Sequence, residues 1–188
     1  MVPYNMLLCH ELTARLAYNL GSPRRGTWFL VSVEYNTQNL YLTFAEISDR
    51  ENPRKHPRYP IDGQYLLEDL GEDSPTRAEC PFKHYANIRE AIPQFLLKHV
   101  AKDPYVEFPY SDIKGIILTG DASDDGMRAM DGILREVFAD LPQCASGNIF
   151  TKLRPSHVVA LGAARAVRAK RVNASILRDV YETVDIED

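Results

Sequence analysis

Between Thr27 and Ser48 two runs rich in aromatic and β-branched residues, "WFLVSVEY" and "NLYLTFAEIS", flank the polar tripeptide "NTQ". The pattern predicts two strands joined by a tight turn. In the second run Leu40, Leu42 and Phe44 share one face and Tyr41 and Thr43 the other. A helical period appears in "HYANIREAIPQFLLKHVAK", where Ile88, Ile92, Phe95, Leu96 and Val100 form a stripe. Pro93 within it predicts a kink, or a helix start after a break. Met127, Met130, Leu134, Val137 and Phe138 form a second stripe, and a further helix is predicted from Pro155 to Arg171. "ELTARLAYNLG", with Leu12, Leu16 and Leu20 in step, predicts a helix ending at Gly21. "IKGIILTG" is a short apolar strand, and "DPYVEFPYSD" and "PQCASGNIF" are loops. From Ser48 to Pro81 prolines 53, 57, 60, 75 and 81 among many charges predict a loop or a short irregular excursion. Helix, hairpin, loop, helix, strand, helix, helix is the order of an α/β domain with a mixed sheet.

Composition narrows the function classes. The chain has 188 residues, 45% hydrophobic and 26% charged, which suits one soluble domain. A net charge of −4, with basic runs no longer than "PRR" and "RAKR", argues against nucleic acid as a partner. No apolar segment approaches the length of a membrane span, and the N-terminus lacks the basic region of a signal peptide. Cys9, Cys80 and Cys144 are odd in number and far apart, as expected of reduced thiols, so the expected location is cytoplasmic.

Candidate chemistry concentrates in "IILTGDASDDG", Ile116 to Gly126, where a buried strand empties into a glycine and three aspartates. Asp121, Asp124 and Asp125 with Ser123 could offer oxygen ligands to a hard cation, but the spacing fits no ligand pattern of a calcium loop. Ser123 as N-cap, with Asp124 and Asp125 in a first helical turn, accounts for two of the carboxylates. Gly120, Asp121 and Ala122 remain, and a glycine with small residues after a strand permits close approach of another group, as in a nucleotide-binding turn. Cys9 with His10, and Cys80 with His84, lack the second pair that a zinc site requires and show no triad order.

Three stretches, taken in order, resemble the actin-like ATPase superfamily and, within it, the second lobe of the seventy-kilodalton heat-shock chaperones. "ELTARLAYNLG" is similar to the segment that opens that lobe. "IILTGDASDDGMRAM" resembles its adenosine-contacting turn, with Gly120 keeping the first glycine and Asp121 replacing the second. "RPSHVVALGAARA" resembles the proline-led helix that closes it. The resemblance implies a ribonuclease-H-like mixed sheet with flanking helices, a single lobe over residues 1–172 with a shortened insertion at about 48–81, and an acidic tail over 173–188.

The same comparison implies what is lost. The family's phosphate loop is an aspartate followed by three glycines. Here Glu34 stands for the aspartate, Asn36, Thr37 and Gln38 for the glycines, and Asn39 for the threonine that follows. Glycines let backbone amides approach phosphates at dihedral angles costly to other residues, so the cradle should be abolished. The first lobe has no counterpart in the sequence. The expectation is therefore a degenerate lobe with no catalytic residue and no metal site, acting as a binding or interaction module. Residual affinity for ATP or ADP would fall at the adenosine end, on Gly120, Asp121, Ala122 and Ser123. A protein partner or a second copy would meet the face that a first lobe covers. The alternatives are a metal-dependent hydrolase built on Asp121, Asp124 and Asp125, and a truncated half-domain of a longer ATPase-like chaperone.

Overall fold

The computed structural model describes residues 14, 17, 18, 20, 27–48, 61–100, 113–139 and 149–172. Within them β1 (Thr27–Tyr35) and β2 (Leu40–Ser48) pair antiparallel, from Thr27 opposite Ser48 to Tyr35 opposite Leu40. This is the expected hairpin, closed by the Asn36 amide donating to the Asn39 carbonyl at 2.9 Å. β4 (Ile113–Thr119) lies parallel to β1 on its other side, with Glu34 opposite Thr119 at the shared end. With β3 (Ile61–Leu67) and β5 (Ile149–Phe150), the five strands among the described residues run in the order β3-β2-β1-β4-β5.

Two of these strands depart from the sequence expectation. The excursion assigned to residues 48–81 supplies β3 (Ile61–Leu67), antiparallel to β2 at the sheet edge. A 3-10 turn (Glu68–Leu70) and a short helix α1 (Pro75–Glu79) follow it. β3 escapes a pattern search because its inward position is Gly63 while Tyr65 and Leu66 are both exposed, so the alternation is blurred. β5 (Ile149–Phe150), inside the stretch expected to be a loop, pairs parallel with β4. Two residues are too few to show any period.

The helices are α2 (Pro81–Val100), α3 (Asp124–Ala139) and α4 (Pro155–Val172). α2 runs unbroken through Pro93, at the cost of one ladder bond to the Arg89 carbonyl. Val31, Val33 and Tyr35 of β1, Leu40, Leu42 and Phe44 of β2, and Ile116 and Leu118 of β4 form the main core. The α2 stripe (Ile88, Ile92, Phe95, Leu96) and the α3 stripe (Met127, Met130, Leu134, Phe138) pack against them. The alternate residues Leu30 and Ile117 point to the opposite face, where Ala14, Ala17 and Val158 bury them. Period two along the strands thus divides one sheet between two helical layers. Ala14 and Ala17 are helical, as expected for the first segment; Leu12 and Leu16, like the acidic tail, lie outside the described residues.

Leu134 is fully buried whereas Leu97 is 53% exposed on α2. Leu134→Ala is expected to cost about 2–5 kcal/mol through lost transfer and a cavity, and Leu97→Ala under about 0.5 kcal/mol. Urea denaturation of both variants checks the assignment of faces.

Candidate functional site

Because β1 and β4 are parallel, the turns that follow them emerge side by side. These are the hairpin turn Asn36–Asn39 and the Gly120–Ser123 turn that starts α3. In open α/β sheets this edge, beyond the carboxyl ends of parallel strands, is where ligands bind. A third turn, Gly71–Ser74, closes on the same place from the end of β3.

The three turns are bonded to one another. Asp121 accepts the Thr37 amide on its carboxylate at 2.9 Å, and its own amide donates to Asn36 Oδ1 at 3.2 Å. The Ala122 amide donates to the Tyr35 carbonyl at 3.3 Å. From the third turn the Glu72 amide donates to the Asn36 carbonyl at 2.9 Å and the Asp73 amide to the Thr37 carbonyl at 2.7 Å. Two glycines permit this interlock. Gly120 has φ +126°, a conformation side-chained residues rarely adopt, and a Cβ there would run into the Tyr35 backbone. A Cβ on Gly71 would run into the backbone of Gln38 and Asn39. The glycine that the sequence links to an approaching nucleotide is thus required by the chain's own strand end.

A buried polar layer lies beneath. Glu72, 7% exposed, accepts both the amide and the hydroxyl of Ser123 and pairs with Arg77 Nη1 at 3.0 Å. Burial pushes its carboxyl up, but the Ser123 bonds and the Arg77 charge together outweigh this and hold it below the usual range. Ser74 caps α1 by accepting the Arg77 amide at 3.2 Å, with Pro75 behind it at the first helical position. The Ser74 hydroxyl also meets His84 Nδ1 at 3.0 Å, and His84 Nε2 meets the Tyr35 hydroxyl at 3.3 Å. Burial, then the nearby Arg77, lower the His84 pKa, and burial raises that of the Tyr35 phenol. The lowered pKa favours the neutral ring, which bridges the Ser74 and Tyr35 hydroxyls through its two nitrogens. A depression of about 440 Å³, lined by Glu72, Asp73, Ser74, Arg77, Ala78 and Pro81, adjoins this layer.

The structure therefore sets Gly120 and Ala122 against Tyr35, Asp121 against Asn36 and Thr37, and Ser123 against Glu72, with Gln38 exposed and Glu34 accepting from Asn36 Nδ2 at 3.1 Å. Ser123 is the α3 cap, its hydroxyl accepting the Gly126 amide at 3.1 Å. The three aspartates do not converge as the metal-hydrolase alternative needs. Asp121 turns to the hairpin, Asp125 to Arg128, and Asp124 lies 3.7 Å from Arg154. Among the described residues no group of three or more His, Cys, Asp or Glu side chains could hold a metal ion. Likewise among them, no helix is long and apolar enough to cross a membrane. Glu72, Arg77, Ser74, His84 and Tyr35 were not legible as a set. Their one signal is the Ser74-Pro75 helix start, and Tyr35 and His84 lie 49 positions apart.

No protein-family model matches this chain, and no curated protein does. A solved structure of an archaeal actin homolog matches it at TM-score 0.51 with 11% identity, covering 85% of this chain and 54% of that one. The fold is actin-like, a mixed sheet with flanking helices. The chain spans about half the length of that neighbour.

Two outcomes test this geometry. Gly120→Val should cost at least about 1–3 kcal/mol from backbone strain alone, read as a fall in the denaturation midpoint. Stability should also fall in two acid steps, because both shifted groups resist protonation in the fold. As pH drops below the ordinary histidine value of 6.5, the unfolded chain takes up a proton that folded His84 refuses. Below 4.5 the same holds for Glu72, whose contribution is lost as pH falls through its folded pKa. His84→Gln should flatten the first step and Glu72→Gln the second in denaturation measured across pH.

Proposed function

We infer that this chain is a degenerate actin-like lobe that works as a non-catalytic binding or interaction module. In its motifs it resembles the second lobe of the seventy-kilodalton heat-shock chaperones. The observation that carries this reading is the interlocking of the three turns at the ligand-binding edge of the sheet. An ATPase lobe needs amides free to receive phosphates, and phosphoryl transfer is almost entirely positioning and charge stabilisation. Here the Thr37 amide already holds a carboxylate. The neighbouring carbonyls of Asn36 and Thr37 receive amides from the Gly71–Ser74 turn. What remains for a nucleotide is the adenosine end, on Gly120 to Ser123, with ATP or ADP gaining nothing from its phosphates. The partner in this reading is a protein or a second copy of the chain, meeting the face that a first lobe covers in two-lobed relatives.

A phosphate-release assay with ATP and magnesium should give no turnover above a no-protein control. Thermal unfolding with ATP, ADP and adenosine should show no stabilisation by the phosphorylated ligands beyond that by adenosine. Phosphate release that disappears in Glu34→Ala would overturn the non-catalytic reading.

A further inference from the structure

The Thr37 amide sits at the tip of a hairpin, yet its partner comes from a turn 84 residues further along the chain. The cross-turn bond runs from the Asn36 amide to the Asn39 carbonyl, so it leaves Thr37 N–H outside the turn's own bonding. That donor takes a full anion, the carboxylate of Asp121, at 2.9 Å. The pairing is reciprocal, since the Asp121 amide returns to Asn36 Oδ1 at 3.2 Å, and Asp121 itself lies exposed on the surface. A carboxylate oxygen and a phosphate oxygen make the same demand on a backbone amide.

We propose that the Asn36–Asn39 turn is an anion-binding turn whose resident anion is the Asp121 carboxylate, so that Asp121, rather than the replacement of glycines, keeps phosphate-bearing ligands off this edge. The proposal rests on the degenerate-lobe reading only for its choice of phosphate as the competing anion. A carboxylate tethered by the fold competes at a high effective concentration, which a free ligand must exceed to displace it. The neighbouring carboxylates have other donors. Glu34 accepts from Asn36 Nδ2 at 3.1 Å, and Glu72 is bonded to Ser123 and Arg77. Asp121 is the acid aimed at the amide.

The test follows the Thr37 amide resonance of the full chain by NMR during titration with pyrophosphate. Wild type should show no saturable shift. Asp121→Ala should show one, at least about tenfold tighter than any wild-type response. Asp121→Asn should respond more weakly than Asp121→Ala, because its side-chain oxygen still accepts without the charge. Asp125→Asn, which removes the same charge next to Arg128, should behave as wild type. A flat titration of folded Asp121→Ala overturns the proposal, and so does an equal response from wild type or Asp125→Asn. If Asp121→Ala fails to fold, Asp121→Asn decides, and its silence overturns the proposal. ATP turnover by wild type would remove the functional reading, while the Thr37 response would still decide the turn.

Discussion

The upper edge of this molecule depends on the chain leaving β4 directly beneath the Tyr35 carbonyl. Only a residue without a side chain fits there, at φ +126°, and Gly120 supplies it. That passage sets Ala122 N–H on the Tyr35 carbonyl and brings Asp121 level with Thr37. It also aims the first turn of α3 at Glu72. A side chain at this one position would lift the β4–α3 turn away from the end of β1 and separate all three turns together.

Electrostatics at the same edge follow a pattern in which four of its carboxylates each have a donor of their own. Glu72 has Ser123 and Arg77, Asp121 has Thr37, Asp125 has Arg128, and Glu34 has Asn36. In a chain of net charge −4 an acidic edge invites a search for a cation. Here the acids are matched by amides, a hydroxyl and guanidinium groups. The exposed pairs contribute little to stability, since water and salt screen them. Glu72 differs, because it is buried and its loss would remove the acceptor of the Ser123 amide and hydroxyl and the charge paired with Arg77.

Much of the fold was legible because its elements repeat. The β1–β2 hairpin and the α2 and α3 stripes announce themselves through β-rich runs about a polar turn and through period 3.6, and β4 through a short apolar run. β3 and β5 were not legible, the first because glycine stands at its buried position, the second because it has two residues. The two turns of the candidate site were legible as departures from local pattern, and so was the Ser123 cap. Their mutual bonding was not. Asp121 and Thr37 have no sequence relation, and only the parallel pairing of β1 with β4 places them together. The His84 layer was hidden for the same reason, with its partners spread over β1, α1 and α2.

That separation has a consequence for how the molecule assembles. The hairpin closes over four residues and can form by itself within microseconds. Asp121 reaches it only after the whole intervening chain has been gathered, which carries the loop-closure entropy of a span of 84 residues. Between those two events the tip of the hairpin is solvated and its amide points at water. The bond from Thr37 to Asp121 is therefore a mark of completion: it exists only in chains whose β4 has already docked beside β1.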